Sequence, residues 1–452
     1  MINDTIAAIS TAMGEGAISI IRLSGTDAIA IANNIFQGKN LSTVPSHTIH
    51  YGFICDPQKQ SKIDEVLVSV MKAPRTFTAE DVVEINCHGG ILVTQQVLEL
   101  ALTFGARLAD PGEFTKRAFL NGRIDLAQAE SIMDIIHAKS EQSLSLAMNG
   151  LDGRVSAMIK TLREKILNIV AQIEVNIDYP EYDDVEEMTN TLLLPQTKSI
   201  ITDMEKLLDT AKTGKILRDG IKTAIIGRPN VGKSSLLNQL MREEKAIVTD
   251  IAGTTRDTVE GYINVGGITL NLIDTAGIRH TSDIVEAIGV KKAKSLIEEA
   301  ELVLLVLNGN EKLTADDREL LDSTSHKNRI IILNKSDLET LIEVGEIPHF
   351  ISTSMLKEEG IESLEMRIKE LFEIGEIAAQ DMTYLSNARH ISKLRQAIHS
   401  LKDAIAAMEL GMMVDMVEID IKSAWYLLGE ILGIEVGDSL LDELFTKFCL
   451  GK

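Results

Sequence analysis

The chain has 452 residues, of which 45% are hydrophobic and 25% are charged, so it is neither a disordered nor a collagen-like protein. At roughly 150 residues per domain, this length predicts about three domains. The formal charge of −22 argues against a protein that coats nucleic acid unaided, although a local basic patch or a partner subunit can still hold one.

Targeting and redox signals favour a cytoplasmic protein. The longest apolar runs, such as residues 302–307, fall far short of the ~18 residues of a membrane span, so we expect no membrane association. The first residues lack the basic segment and apolar stretch of a signal peptide. The cysteines, Cys55, Cys87 and Cys449, form neither a metal-binding spacing nor a disulfide framework, which fits a reducing compartment.

Residues 1–118 are predicted to form a small α+β domain. Short β-like runs occur at residues 17–21, 66–71 and 82–85, and they are separated by turn signals. Residues 91–104 have the apolar spacing of an amphipathic helix.

Two separated segments, residues 119–216 and 379–452, are predicted to be helical. Each contains apolar residues that step by three and four along the chain, as in the seam of a helical bundle. The stripes are Val155, Ile159, Leu162, Ile166, Ile169 and Ile173, and then Ile391, Leu394, Ile398, Leu401, Ile405 and Met408. We infer one discontinuous all-α domain, into which another domain is inserted.

The inserted segment, residues 217–378, alternates strand and helix signals. Its strands are short and almost entirely apolar, at residues 223–226, 270–273, 302–307 and 330–333. Such strands are typical of a parallel sheet covered by helices on both faces, so this part is predicted to be an α/β domain.

A phosphate-binding loop follows the first of these strands. Residues 227–234 read Gly-Arg-Pro-Asn-Val-Gly-Lys-Ser and match the pattern G-x-x-x-x-G-K-[ST]. Backbone N–H groups of such a loop surround phosphate oxygens, Lys233 reaches the β- and γ-phosphates, and the Ser234 hydroxyl ligates Mg²⁺. The predicted contacts here are Asn230, Val231, Gly232, Lys233, Ser234 and Ser235.

Three further motifs lie after the phosphate-binding loop in the chain. Asp274, Thr275, Ala276 and Gly277 end a strand and place a carboxylate near Mg²⁺. Residues 334–337 end another strand, and Asp337 can accept hydrogen bonds from the ring N–H and the 2-amino group of guanine, a pair that adenine does not offer. Thr255 can close over Mg²⁺ and the γ-phosphate. The combination resembles the Ras-like GTPases, and its predicted guanine-side residues are Asn334, Lys335, Ser336 and Asp337.

One position departs from Ras-like chemistry. Ile278 stands where Ras-like switches carry a glutamine that orients the attacking water. Another group must therefore position the water and neutralise the charge that grows between the phosphates. The candidates near the motifs are Asn230, Arg256, Arg279, Asp283 and Glu286. The usual Ser-Ala-Lys loop is also degenerate, since Ser-Thr-Ser occupies its place at residues 352–354.

The whole chain resembles the MnmE (TrmE) family of tRNA-modification GTPases. The resemblance rests on a Ras-like domain inserted into a helical one and on a set of N- and C-terminal motifs. These are residues 20–25 (Ile-Ile-Arg-Leu-Ser-Gly), 77–81 (Phe-Thr-Ala-Glu-Asp), 88–90 (His-Gly-Gly), 111–115 (Pro-Gly-Glu-Phe-Thr), 117–130, and the C-terminal Phe-Cys-Leu-Gly-Lys.

The resemblance implies a K⁺ site in place of an arginine finger when two G domains meet. Its predicted ligands are Asn230, Thr249, Ile251 and Thr254, and Glu286 is the predicted residue that orients water. The loop that would contact GTP consists of Thr249, Asp250, Ile251, Ala252, Gly253, Thr254 and Thr255.

The resemblance also implies a folate site and a protein partner. The matching folate positions are Arg22, Glu84, Arg123 and Lys452, for 5-formyl- or methylene-tetrahydrofolate, and Cys449 is a possible reactive thiol. The expected assembly is a homodimer that forms a heterotetramer with an MnmG/GidA-like flavoprotein carrying FAD. Together they would modify C5 of the wobble uridine of certain tRNAs to a carboxymethylaminomethyl or aminomethyl group.

Two other functions remain open from the residues alone. One is a regulatory or ribosome-assembly GTPase without modification chemistry, which needs neither the folate residues nor the C-terminal Cys-Leu-Gly-Lys. The other is a GTP-regulated scaffold whose folate site is vestigial. Binding of a formyl-tetrahydrofolate discriminates both from the modification enzyme.

Overall fold

The computed structural model of the chain describes residues 4–178, 192–243, 261–273, 295–342, 345, 347, 349–372, 384–434, 436–449 and 451. These residues fall into two compact units, one of residues 1–133 with 429–452 and the other of residues 134–428. The two units are groups of residues that pack together, and they do not test the predicted domain boundaries. The boundaries at residues 118, 216 and 378 therefore remain predictions.

The first unit is built on a seven-stranded sheet with the order β3-β4-β5-β6-β2-β1-β7. Its neighbours are antiparallel except β1 and β7. The strands are β1 (Ile6–Ile9), β2 (Gly16–Ser24), β3 (Phe36–Gln37), β4 (Thr48–Asp56), β5 (Ser61–Met71), β6 (Val82–Gly89) and β7 (Arg107–Leu108). The helices are α1 (Ala28–Ile35), α2 (Ile91–Thr103), α3 (Glu113–Leu120) and α4 (Leu126–His137), of which α4 crosses into the second unit.

One face of this sheet is apolar and packs against α1 and α2. Val66, Val68 and Val70 alternate with more exposed residues along β5, as expected for a strand with a single buried face. The strand runs predicted at residues 17–21, 66–71 and 82–85, and the helix predicted at 91–104, are confirmed. The α+β class of this region is therefore correct.

The second unit begins with helices α5 (Glu141–Leu151), α6 (Arg154–Asp178), α7 (Leu194–Asp209) and α8 (Ala211–Asp219). It ends with α12 (Ala388–Glu409) and most of α13 (Val414–Leu432). The α6 stripe is buried from Ile159 to Ile173, and Leu394 and Leu401 of α12 are fully buried. Ion pairs join α12 to α7, between Lys198 and Glu409 at 2.9 Å and between Lys402 and Glu205 at 2.7 Å. Two distant segments thus form one bundle.

A six-stranded sheet lies between these helical segments in the chain, with the order β13-β12-β11-β8-β10-β9. All neighbours are parallel except β9 and β10. The strands are β8 (Ile221–Ile226), β9 (Gly261–Val265), β10 (Ile268–Leu272), β11 (Leu302–Asn308), β12 (Arg329–Asn334) and β13 (Phe350–Thr353). The accompanying helices are α9 (Lys233–Glu243), α10 (Ala315–Ser323) and α11 (Ile361–Leu371).

Every residue of β11 is buried, which is the reason for its uninterrupted apolar sequence. The α/β class predicted for this part is confirmed. The carboxyl ends of β8, β11 and β12 meet at one edge of the sheet, where ligands of such folds bind.

The C-terminal segment returns to the first unit through α14 (Asp438–Thr446). Lys116 of α3 pairs with Asp442 at 2.5 Å, and buried Phe445 stacks near Phe119 and Phe448. Gly112 has a φ of 70° and lies so close to the Phe445 carbonyl that a Cβ there would sit 2.5 Å from its oxygen. A glycine is therefore required at this contact.

Candidate functional site

The phosphate-binding loop joins β8 to α9, as its motif predicts. Gly227 and Gly232 have φ values of 153° and 106°, and Asn230 has a φ of 60°. A Cβ on Gly227 would strike the carbonyl oxygen of Val306, and one on Gly232 would strike Nδ2 of Asn334. The loop is thus a backbone cradle of the shape that binds phosphate, and both glycines are sterically required.

Lys233 lies at the first position of α9, and its ammonium group faces the loop. Its Nζ donates to the carbonyl oxygens of Gly227 at 2.8 Å and of Arg228 at 2.7 Å. Burial lowers the pKa of Lys233, because few solvent dipoles stabilise its charge. Phosphate oxygens entering the cradle would meet a partly desolvated cation. Ser234 is half-buried and Ser235 is exposed beside it.

Arg228 attaches the loop to the start of α10. Its guanidinium contacts Asp317 at 2.8 Å and Glu311 at 3.0 Å, and these carboxylates raise the pKa of Arg228. Asp317 is buried and caps α10 together with Thr314. Sequence reasoning missed this anchor, since Arg228 falls at a position where the motif accepts any residue.

The predicted guanine side of the site is built on the ends of β12 and β13. Buried Asn334 donates through Nδ2 to the carbonyl oxygen of Val231 at 2.9 Å, which ties this corner to the phosphate loop. Lys335 has a φ of 68°, and the N–H of Ser336 donates to the carbonyl oxygen of Thr353 at 3.0 Å. The geometry presents Asp337 beyond the edge of the sheet.

Ser354 holds the Asp337 carboxylate. Its hydroxyl donates to Oδ1 of Asp337 at 2.6 Å, and this hydrogen bond holds the pKa of Asp337 below its usual value. Sequence reasoning noted the degenerate segment at residues 352–354 but assigned Ser354 no role. The sequence does not show which residues of β12 and β13 lie side by side. In the structure Asn334 pairs with Thr353, and Ser354 follows directly after Thr353.

Much of the predicted nucleotide site lies outside the described residues. This applies to the γ-phosphate loop, to the motif after β10, and to the water-orienting carboxylate. The residues are Thr249, Asp250, Ile251, Ala252, Gly253, Thr254, Thr255, Asp274, Thr275, Ala276, Gly277 and Glu286. Arg256, Ile278, Arg279 and Asp283, and the acidic run at residues 181–187, lie outside them too. Their roles remain predictions.

The predicted folate residues of the first unit come together around Phe77. Arg22 and Glu84 are register partners on β2 and β6, and Nε of Arg22 donates to Oε1 of Glu84 at 2.9 Å. The guanidinium carbons of Arg22 and Arg123 lie 5.7 and 5.0 Å from the centroid of the Phe77 ring. The fold thus concentrates two cations, a carboxylate and an aromatic ring, a set suited to a flat, polar and anionic ligand.

The C-terminal tail closes on the same place. Nη1 of Arg22 donates to the carbonyl oxygen of Gly451 at 3.3 Å, and so does the Ser10 hydroxyl at 3.0 Å. Lys452 itself lies outside the described residues. Cys449 is exposed, in contrast to the buried Cys87, and its thiol is therefore accessible.

A buried ionic cluster in the same unit was not predicted from the sequence. Arg117 is 1% exposed, and its guanidinium contacts Asp4 at 2.6 Å, Glu113 at 3.1 Å and Glu80 at 3.3 Å. Although burial opposes it, hydrogen bonds from Arg107, Asp110 N–H and Arg117 hold the pKa of Glu113 below its ordinary value. Glu113 lies one turn before Arg117 on α3, whereas Asp4 and Glu80 come from two other segments, so the sequence pattern does not indicate the cluster.

Across the part of the chain that the structure describes, no group of His, Cys, Asp and Glu has the arrangement of a metal site. Within the same residues, no helix combines the length and apolarity needed to cross a bilayer.

Comparisons with known proteins agree with this architecture. A family model described as the MnmE helical domain matches residues 126–449, and one described as the GTP-binding protein TrmE N-terminus matches residues 5–123. The tRNA modification GTPase MnmE of Enterococcus faecalis is 58% identical over 99% of this chain and 98% of its own length. The protein of the same name from Staphylococcus aureus strain Newman is 56% identical over 99% of both chains.

Among solved structures, the G domain of the T. maritima FeoB iron transporter is 28% identical and covers 33% of this chain and 98% of its own, with a TM-score of 0.24. The family assignment rests on the two family models and on the full-length relatives. This chain belongs to the MnmE (TrmE) family of tRNA-modification GTPases.

Proposed function

We propose that this chain hydrolyses GTP in the course of tRNA modification, and that the hydrolysis depends on K⁺. By the proposal, a homodimer works with an MnmG/GidA-like flavoprotein carrying FAD to modify C5 of the wobble uridine. A tetrahydrofolate derivative supplies the one-carbon unit. The observation that supports the GTP-dependent part is the corner in which Asn334 donates to the phosphate loop and Ser354 donates to Asp337, the residue proposed to bind the base.

The phosphate cradle supports GTP as the substrate. Lys233 is positioned at the loop carbonyls, from which it can transfer its hydrogen bonds to phosphate oxygens. The Mg²⁺ that accompanies GTP would be held by Ser234 and Thr255, of which Ser234 lies at the start of α9 beside the cradle.

Two observations support the potassium dependence. Ile278 leaves no glutamine to orient water. Asn230 is exposed at the tip of the phosphate loop in a left-handed backbone conformation, so its amide oxygen is free to ligate a cation from outside the loop. Bound there with oxygens of Thr249, Ile251 and Thr254, K⁺ would neutralise the charge that grows between the β- and γ-phosphates.

The experiment compares GTP hydrolysis by the full chain in KCl and in NaCl at equal ionic strength. We expect at least about 10-fold faster turnover in KCl, because Na⁺ is too small for a cage built for K⁺. Asn230→Ala should abolish the difference, whereas Asn328→Ala, a change at an exposed asparagine far from the loop, should preserve it. Equal rates of the unmodified protein in both salts would remove potassium from the proposal.

Two further measurements test the remaining parts separately. Glu286→Ala should retain GTP affinity and lose most turnover, and unchanged turnover would exclude it as the residue that orients water. Mass spectrometry of wobble uridines from cells lacking the protein should show loss of the C5 substituent. Normal uridines there would favour a GTPase without modification chemistry.

A further inference from the structure

The turn between α12 and α13 carries an exposed apolar surface, which we name the tip stripe. It consists of Leu410, Met412, Met413, Met416 and Ile419, with exposures of 79%, 45%, 73%, 51% and 68%. Gly411, with a φ of 68°, ends α12 and turns the chain into α13. Met413 directly precedes α13, and Met416 and Ile419 are three residues apart on it, so these two side chains are neighbours on the surface of the helix.

The bundle core does not use this surface. Val417, Ile421, Ala424 and Leu428 form the buried face of α13, with exposures of at most 1%. The helix therefore has a second apolar face, which its own bundle leaves in contact with water. Contiguous apolar surface of this kind on a folded protein marks an interaction site.

The charge around the tip stripe is net negative. From residue 402 to residue 422 the sequence has five carboxylates and two lysines, one lysine at each end; the carboxylates are Asp403, Glu409, Asp415, Glu418 and Asp420. Burial, and to a smaller extent the neighbouring Asp403, raises the pKa of Asp420. Glu409 and Glu418 are paired with Lys198 and Lys422, and Asp403 lies 3.6 Å from His399. Asp415 is exposed at the centre of the stripe.

This combination favours one class of occupant. The surplus of carboxylates, with Asp415 exposed within the stripe, disfavours nucleic acid and anionic lipid, and two copies of the stripe would bring like charges together. A helix that is apolar on one face and basic along its flanks matches both the methionines and the carboxylates. Flexible methionines adapt to such a helix, as in other Met-rich helix-binding surfaces. We propose that the tip stripe binds a basic amphipathic helix of another protein chain.

The probe is a fluorescent 18-residue helical peptide with leucines on one face and lysines on the other. Its control has serine in place of every leucine and the same charge. By fluorescence anisotropy with the full-length chain, we expect micromolar binding of the leucine peptide and at least about 10-fold weaker binding of the serine peptide.

Ile419→Glu is the most informative variant, because binding through apolar contacts and binding through charge alone predict opposite effects of this substitution. It should weaken binding of the leucine peptide at least about 10-fold, whereas simple attraction of a basic peptide to an acidic protein would strengthen it. Met366→Glu, on α11 of the same unit and 60% exposed, adds the same charge elsewhere and should leave binding unchanged. Thermal unfolding of both variants should match that of the unmodified chain, since both side chains face solvent.

Three results would overturn the proposal. They are equal binding of the two peptides, undiminished binding by Ile419→Glu, and equal loss in Met366→Glu. Light scattering tests whether a second copy of this chain binds the tip stripe. Self-association that increases with concentration, and that Ile419→Glu but not Met366→Glu disrupts, would identify a second copy in place of the helix.

Discussion

The two predicted ligand sites each present a carboxylate suited to a heterocycle, but they hold it differently. Asp337 accepts from the neutral hydroxyl of Ser354, whereas Glu84 is paired with the Arg22 guanidinium at 2.8 Å. A hydroxyl orients a carboxylate without cancelling its charge, while a guanidinium does both. The guanine corner therefore keeps a full negative charge for its ligand, and the sheet site of the first unit offers a cation and an anion already in contact.

This difference predicts that Asp337 contributes most of the ligand affinity in the nucleotide site, and that Arg22 contributes most of it in the site near Glu84. A ligand at Asp337 gains two hydrogen bonds to an unneutralised anion. A ligand near Glu84 must share it with Arg22, so the anionic part of a folate would depend more on Arg22 and Arg123.

The largest effect is expected from Asp337→Asn. GTP affinity should fall at least about 100-fold, because the amide cannot accept from both N–H groups of guanine. Affinity for xanthosine triphosphate should rise, since the amide N–H₂ can donate to the 2-oxo group of xanthine. Nucleotide titrations of both variants measure this, with Asp316→Asn, at an exposed position of α10, as the matched control. Unaltered GTP binding would show that Asp337 does not contact the base.

Arg22→Ala tests the other half of the comparison. Binding of 5-formyl-tetrahydrofolate should weaken about 10- to 100-fold, because one cation and its stacking on Phe77 are lost and Glu84 is left unpaired. Calorimetry on the full chain measures this, and GTP hydrolysis in the same preparation should remain. Lys39→Ala, at an exposed position of the same unit, is the control. Binding that survives Arg22→Ala would show that Arg22 does not hold the ligand, whereas no binding by the unmodified chain would favour the vestigial-site scaffold.

Seven of the strands and the phosphate loop were predicted, because their signals are local. Buried parallel strands such as β11 need apolar residues at every position, and the glycines of residues 227–234 are dictated by backbone geometry. Ser354 and Arg228 were not predictable, because each acts through a segment 17 to 89 residues away in sequence. The cluster around Arg117 depends on Asp4, Glu80 and Glu113, which only the folded sheet and α3 bring together.

Arg228→Ala tests whether the pair of Arg228 with Asp317 is structural, in contrast to the pair of Arg22 with Glu84, which is available to a ligand. Its partner Asp317 is almost completely buried, unlike Glu84, so the pair serves the fold of the phosphate loop. We expect a loss of about 1–2 kcal/mol in the free energy of unfolding, with nucleotide dissociation about 5- to 10-fold faster. Chemical denaturation and stopped-flow release of a fluorescent GDP measure the two effects.

Arg228→Lys should recover part of both quantities, since one ammonium group cannot make both contacts. Arg395→Ala on α12 is a control at an exposed arginine. If stability falls and nucleotide release does not change, the anchor serves only the fold and has no part in shaping the phosphate cradle.

The smallest effect at neutral pH is expected from Ser354→Ala. The pH dependence of GDP affinity in this variant tests whether the hydroxyl lowers the pKa of Asp337. The Ser354 hydroxyl lowers the pKa of Asp337, so the unmodified carboxylate stays ionised to lower pH than a free one. Without the hydroxyl this pKa rises toward its ordinary value, and the carboxylate is protonated earlier as the pH falls. At pH 7 the carboxylate is ionised with or without the hydroxyl, so GDP affinity should be only about 2- to 5-fold weaker there, because the carboxylate is less well oriented. The gap should widen toward pH 4, where protonation of Asp337 adds to it. Fluorescence titrations across this range measure the profile, and Ser354→Thr should restore it because threonine keeps the donor. Parallel profiles for Ser354→Ala and the unmodified chain would mean that the hydroxyl only orients Asp337, and the contrast with the charge-paired Glu84 would then rest on geometry alone.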